Sequence, residues 1–253
     1  MIRRYLLSSV TLLIIFSFTK LFSNTAPYKT GVPEKKVTKS LAKSASDISR
    51  NDLLSAKNAG FPVMLSFAGE RIPLENKRVY KKMDYALQKH YPQLALNMEL
   101  IEGNPRTMSV IDRILQKHNI PTDFRYLPII ESRLSRATSH KGAGGYWQFM
   151  PATARTLGLV VNDTVDERND LVKSTIAACK YLKMLHKELG SWTLAAAAYN
   201  IGQGRLQKEL RRQETGSYYF LDLNNETERY LYRLVAMKEL LNRPSRYEAR
   251  YGD

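Results

Sequence analysis

The sequence predicts a mostly α-helical domain, and three features carry that reading. From Leu74 onward apolar residues recur at three- and four-residue spacing, the period of one helix face. Start and stop signals punctuate the same stretch: Pro121, Pro151 and Ser191 open segments, while Gly158, Gly190 and Pro244 close them. Beyond residue 75 no run shows the alternation of a half-buried strand.

The segments follow in order. Residues 1–26 have the form of an export signal: Arg3 and Arg4, then the apolar run Leu6–Phe18, then small polar residues ending at Ala26. The run is short for a span of about 20 residues, although Leu21 and Phe22 extend it, so an uncleaved membrane anchor is the alternative. Residues 27–58 are rich in Lys and Ser, bury too little to offset their ordering entropy, and read as a flexible basic tether. Residues 59–104 form a helical extension. It opens with FPVMLSFAGERIPL at 61–74, where an Ala-Gly-Glu turn suggests a short β-hairpin.

In the first helix Val79, Met83, Ala86 and Leu87 share a face, and Pro92 ends it or begins the next. Val110, Ile111, Ile114 and Leu115 mark another, stopped near Asn119. Pro121 opens a short helix carrying Leu127, Ile130 and Glu131; Pro151 opens one that closes at Gly158. Val172, Ile176, Cys179, Leu182, Leu185 and Leu189 make a stripe ended by Gly190. Ser191 caps an alanine-rich helix from Trp192 to Tyr199, which Gly202 and Gly204 break. The last helix runs from about Glu226 to Leu241, and 243–253 read as a tail.

The bulk composition narrows the function. The 253 residues, 43% hydrophobic, are enough for one packed domain with extensions. The net charge of +15 favours anionic partners. The cations are dispersed, and neither zinc-ligand spacing nor an RNA-binding aromatic motif occurs, so nucleic acid is not expected. Cys179, the one cysteine, falls at an apolar helical position and reads as a buried thiol. The four histidines show no metal-ligand spacing, so no metal is expected.

Chemistry concentrates between Glu131 and Met150. Glu131 follows Leu127-Pro128-Ile129-Ile130. Apolar surroundings disfavour the charged carboxylate and raise its pKa, as a general acid near neutral pH requires. Gly142, Gly144 and Gly145 permit close backbone approach or positive φ, and Tyr146 and Trp147 offer flat faces on which a sugar could stack.

Four segments then resemble the lytic transglycosylase catalytic domain, the goose-lysozyme-like group of glycoside hydrolase family 23. They are Glu131-Ser132, the run from Gly142 to Pro151 (GAGGYWQFMP), the run from Ala198 to Arg205 (AYNIGQGR), and the run from Glu226 to Tyr230 (ETERY). The match covers roughly 105–242, and FAGERIPL points to the branch of membrane-bound lytic murein transglycosylase D. Members of that branch often carry C-terminal LysM repeats; this sequence, ending at Asp253, shows none, and targeting by such repeats is not expected.

The resemblance implies a lysozyme-like α fold, export to the periplasm or cell envelope, and cleavage of peptidoglycan glycan strands by a monomer without cofactor or metal. Glu131 matches the catalytic acid. Ser139, Gln148, Met150, Tyr199, Asn200, Glu226 and Tyr230 match substrate-groove positions. The residues themselves leave other roles open: Ser139 could serve a turn, Tyr199 and Tyr230 could be core aromatics, and Glu226 could be an acid favoured in a first helical turn. Two positions depart from the family pattern, Tyr146 for Leu and Ile201 for Ala.

The family has no second acid beside the first, so the resemblance implies that one carboxyl acts twice and yields a 1,6-anhydro sugar. The alternatives are a lysozyme-type hydrolase using water, a non-catalytic peptidoglycan-binding protein, and a basic membrane-associated or nucleic-acid-binding helical protein, the last disfavoured by the export signal.

Overall fold

The computed structural model describes residues 61–62, 64–223 and 225–252, with the side chains of residues 225–227 outside the description. The export signal and the tether expected over 1–58 lie outside the described residues.

The hairpin forms as expected, with β1 (Ser66–Phe67) pairing antiparallel to β2 (Glu70–Arg71). The turn is made by Ala68 and Gly69, both at positive φ. Among the described residues every later regular element is a helix, joined by turns, loops and isolated bridges such as Gly144 with Phe149. Asn76 caps α1 (Lys77–His90) by accepting from the Arg78 and Val79 amides, and α1 buries Val79, Met83, Ala86 and Leu87. A 3₁₀ turn at Tyr91–Gln93 contains Pro92 and leads into α2 (Leu94–Glu102). In α3 (Pro105–Lys117) the buried face is Met108, Ile111 and Leu115, and Val110 is only half-buried.

The chain then passes through a 3₁₀ turn (Thr122–Tyr126) into α4 (Leu127–Ser132) and later α5 (Pro151–Thr156). The helix α6 (Leu171–Leu189) buries Thr175, Ala178, Cys179, Leu182, Leu185 and Leu189. Val172, expected in that stripe, is exposed, because the core-facing register begins at Ser174 and Thr175.

Helix α7 (Trp192–Ile201) is capped at both ends as the sequence implies. The Ser191 hydroxyl accepts from the Leu194 amide, and Gly202 ends the helix at φ +86°. Gly204 does not break the chain again. It lies inside α8 (Gln203–Arg212), a helix not foreseen, held to the core by Leu206 and Leu210. Helix α9 (Asn225–Asn242) follows the expected last segment. The expected tail is also helical: α10 (Pro244–Tyr251) starts at Pro244, a residue suited to a first helical turn as well as to a stop, and Tyr247 anchors it with no exposed surface.

The helices pack as one core. Helix α6 lies against α3 and α7, and α9 lies against α1 and α7. The hairpin is tied into this frame by polar bonds. Asp123 accepts from the Ala68 amide and from Lys238 of α9, both at 2.7 Å. Glu70 spans the start of α7, accepting from Ser191 Oγ (2.7 Å), the Trp192 amide (2.5 Å) and the Thr193 amide (3.0 Å). A carboxylate in that position satisfies unpaired amides and meets the positive end of the helix dipole.

Candidate active site

Glu131 sits on the last turn of α4, and the local sequence explains its placement. Leu127, Pro128, Ile129 and Ile130 are all buried, so the short helix is anchored by its apolar residues. Two successive left-handed residues then turn the chain sharply, Arg133 at φ +53° and Leu134 at φ +58°. Such a conformation is strained for residues with a Cβ. It is held by the burial of Leu134 and by bonds from the Arg133 amide to the Ile129 carbonyl and from the Leu134 amide to that of Pro128.

The carboxyl of Glu131 has one hydrogen-bond donor among the described residues. Tyr230, from α9, donates its hydroxyl to Oε1 at 2.5 Å. Burial pushes the Glu131 carboxyl above the usual carboxylate range, while the Tyr230 hydroxyl and the Arg233 guanidinium pull it back in part. The Tyr230 phenol is itself pushed far up, first by burial and then by the Glu131 charge, so it stays protonated and donates.

Beside this pair opens a cavity of about 890 Å³, lined by residues of α1, α4, α7 and α9. Of the eight residues expected from sequence, it brings together Glu131, Asn200 and Tyr230. Tyr199 is close by: its phenol is raised by burial and by the Glu131 charge, and its hydroxyl donates to the Trp147 carbonyl at 2.7 Å.

Ser139, Gln148 and Met150 are not among the cavity-lining residues. The Gln148 carboxamide donates to the Ala137 and Gly145 carbonyls at 2.8 and 2.9 Å, locking the glycine loop. Ser139 accepts the Ala143 amide at 3.0 Å within an exposed turn, and Met150 is exposed ahead of α5. Glu226 falls in the first turn of α9; its side chain lies outside the described residues.

A residue that sequence reasoning missed organises the loop. Arg168 is buried, and its guanidinium is held by both oxygens of Asp166. It donates to the carbonyls of Gly142 (2.7 Å) and Phe149 (2.9 Å). This explains the glycines. A Cβ at Gly144 would lie 2.8 Å from the Arg168 Cζ, and one at Gly145 would lie 1.9 Å from the Arg168 carbonyl oxygen. No sequence spacing ties Arg168 to glycines more than twenty positions earlier.

The loop is fastened to α4 and α6 as well. Ser132 Oγ bonds to the Tyr146 carbonyl at 2.9 Å, and the indole of the fully buried Trp147 donates to Thr175 at 2.9 Å. Trp147 is therefore core rather than a stacking platform.

The other described carboxylates near the site are committed. Asp123 pairs with Lys238, and Glu228, which lines the cavity, is held by Arg78 at 2.8 Å and by Lys82. Among the described residues no group of three or more His, Cys, Asp or Glu could hold a metal ion. The arrangement can deliver one proton from a desolvated carboxyl at the edge of a wide cavity, with a phenol fixing the carboxyl's orientation.

Residues 109–220 match the transglycosylase SLT domain. Over 195 residues the chain is 32% identical to membrane-bound lytic murein transglycosylase D of Escherichia coli (strain K12), covering 73% of this chain and 42% of that protein. The chain thus spans less than half the length of this relative. Among solved structures it is similar to lytic transglycosylase Slt from Pseudomonas aeruginosa, with a TM-score of 0.45 and 18% identity over 81% of this chain and 32% of that one. It is also similar to the 70 kDa soluble lytic transglycosylase of Escherichia coli, with a TM-score of 0.46 and 15% identity over 87% of this chain and 44% of that one.

Proposed function

We propose that the chain, whose residues 109–220 match the transglycosylase SLT domain, belongs to that family and cleaves peptidoglycan glycan strands at the cell envelope as a lytic transglycosylase. The observation that carries the proposal is the single desolvated carboxyl of Glu131 at the cavity, with every other nearby described acid already ion-paired. Its relative's name, membrane-bound lytic murein transglycosylase D, points to the same substrate and location.

Glycosidases in general divide the work between two carboxyl groups. Here Glu131 works alone. Protonated, it gives its proton to the glycosidic oxygen as the bond from C1 of N-acetylmuramic acid breaks. The substrate's acetamido oxygen stabilises the developing positive charge at C1. The carboxylate then takes the proton of the same sugar's 6-hydroxyl, whose oxygen bonds to C1. The product carries a 1,6-anhydro ring, no water is consumed, and Glu131 is again protonated. Neither a metal nor a cofactor enters this scheme.

Tyr230 orients the carboxyl through its 2.5 Å bond, and Tyr199 braces the adjoining loop. Asn200 on the cavity wall and Ser139, whose hydroxyl proton has no acceptor among the described residues, bond the glycan. Gln148 serves the site by holding the glycine loop in shape. Met150 and Glu226 extend the groove. No helix among the described residues is long and apolar enough to cross a membrane; residues 1–26, with Arg3, Arg4 and the apolar run Leu6–Phe18, are the proposed export signal or anchor.

The test is mass spectrometry of purified peptidoglycan after incubation with wild type and with Glu131→Gln. The expected result is muropeptides ending in 1,6-anhydro-muramic acid with wild type only. Reducing ends heavier by one water would make the protein a hydrolase, and digestion that persists in Glu131→Gln would remove Glu131 from the chemistry.

A further inference from the structure

We infer that the cavity beside Glu131 contains a carboxylate-binding subsite, formed by α1 and α9, which recognises the acidic substituent on the muramic lactyl ether; this rests on the peptidoglycan reading above. Its basic lining residues are Lys81, Lys82 and Lys89 of α1 with Arg229 and Arg233 of α9. Among the described residues the acids lining the same cavity are Glu131 and Glu228. Glu228 is already matched by Arg78 and Lys82. That leaves Lys81, Lys89, Arg229 and Arg233 with no carboxylate within ion-pair distance among the described residues.

The donors of this wall are underused. The Arg233 Nε is buried with no partner, and the guanidinium's one hydrogen bond among the described residues is a 3.4 Å contact from Nη2 to the Ile130 carbonyl. A guanidinium has five donors and suits a planar carboxylate. His90 Nδ1 is likewise buried and unpartnered. Burial, with Arg233 and Lys89 alongside, pushes the imidazole down to about 4, so it adds no charge of its own at neutral pH.

Tyr85 completes the wall as an exposed ring, with Arg229 at 5.6 Å and Lys89 at 5.9 Å from its centre. The basic residues and Tyr85 all lie outside the 109–220 stretch that matches the SLT family, so this wall belongs to the surrounding helices. Like charges gathered in a concave, partly apolar site focus potential and raise the local concentration of an anion.

Carboxylate can reach this wall from two sources. On a strand stripped of peptides the lactyl group ends in a free carboxylate at every second sugar. On a peptide-bearing strand the lactyl carboxyl is an amide, and the acids belong to the peptide. A neutral chitooligosaccharide has the same backbone and neither acid.

The experiment measures binding of these three ligands, at matched length, to the full chain carrying Glu131→Gln, with and without Lys81→Gln, Lys89→Gln and Arg229→Gln together. The three added sites are exposed, and a thermal melt checks the fold. The expected result is tighter binding of one or both acidic glycans than of the neutral one, a preference that falls roughly tenfold in the triple variant and falls also with added salt. Loss of affinity for peptide-bearing strands alone assigns the subsite to the peptide; loss for stripped strands alone assigns it to the lactyl group. Equal binding of neutral and acidic glycans, or a preference that survives the triple variant, overturns the inference while leaving the cleavage chemistry standing. No binding of any glycan, together with no cleavage by wild type, overturns both.

Discussion

The two flanks of Glu131 are built on opposite terms. On one flank the glycine loop, from Ala137 to Phe149, is saturated. Arg168 binds two of its carbonyls, Gln148 binds two more, and Ser132 and Tyr199 take the carbonyls of Tyr146 and Trp147. On the other flank the wall of α1 and α9 carries four cations with no carboxylate partner and a buried guanidinium nitrogen with no acceptor among the described residues. A saturated segment holds one shape and fixes what touches it, whereas an unsaturated one is complete only when something binds. The first suits a part that positions an acid, the second a part that recognises a ligand.

Substitution at Gly145 should break the saturated flank most severely. Gly145→Ala requires positive φ and drives a Cβ into the Arg168 backbone. The expected cost is more than about 3 kcal/mol of stability, read as a fall in Tm. Gly142→Ala shares the positive φ but meets nothing within 4 Å, so its cost should stay near 1 kcal/mol. Equal effects at the two positions would show that backbone strain, not the close approach to Arg168, governs the loop. Arg168→Leu comes next, since it leaves Asp166 and two loop carbonyls unpaired; about 3 kcal/mol is expected, measured by denaturant unfolding.

Tyr230→Phe probes the junction between the flanks. It removes the bond that partly offsets the effect of burial on Glu131. The carboxyl should then rise further, and the alkaline limb of activity, where the acid loses its proton, should move to higher pH. The rate at the optimum should fall roughly tenfold through loss of orientation. A pH–rate profile decides; an unmoved limb would mean that Tyr230 does not act through Glu131.

The smallest effect concerns stability. Because the folded-state pKa of Glu131 is raised, its favourable contribution is present at low pH and is lost as pH rises through the folded value. Glu131→Gln should therefore melt above wild type at pH 8, with the gap closing toward pH 4.

The sequence made legible what depends on local pattern. The buried face of α1, the Ser191 cap, the Gly190 and Gly202 stops and the hairpin around Ala68-Gly69 all follow from spacing or turn chemistry. So does the apolar run that desolvates Glu131. What escaped depends on distance or ambiguity. Helix α8 buries only Leu206 and Leu210 and begins among two glycines, Gly202 and Gly204, that read as breakers, and α10 begins at a proline that reads as a stop. Arg168, Glu70 and Arg233 act on partners far along the chain, where no period connects them. Gln148 matches a substrate-groove position, yet its carboxamide is spent on backbone carbonyls of its own loop, a pairing that no sequence spacing announces.

The span of Glu70 across the start of α7 has a consequence for where this protein can be cut. Homology marks out 109–220, but cooperativity does not respect that border. A fragment trimmed to it would leave the α7 amides at Trp192 and Thr193 without their acceptor, and Asp123 without Lys238 and the Ala68 amide. It would also lack Tyr230, the partner of Glu131. The hairpin and α9 are thus part of the unit that folds and acts together, and recombination that shuffled the matching segment alone would transfer the acid without its setting.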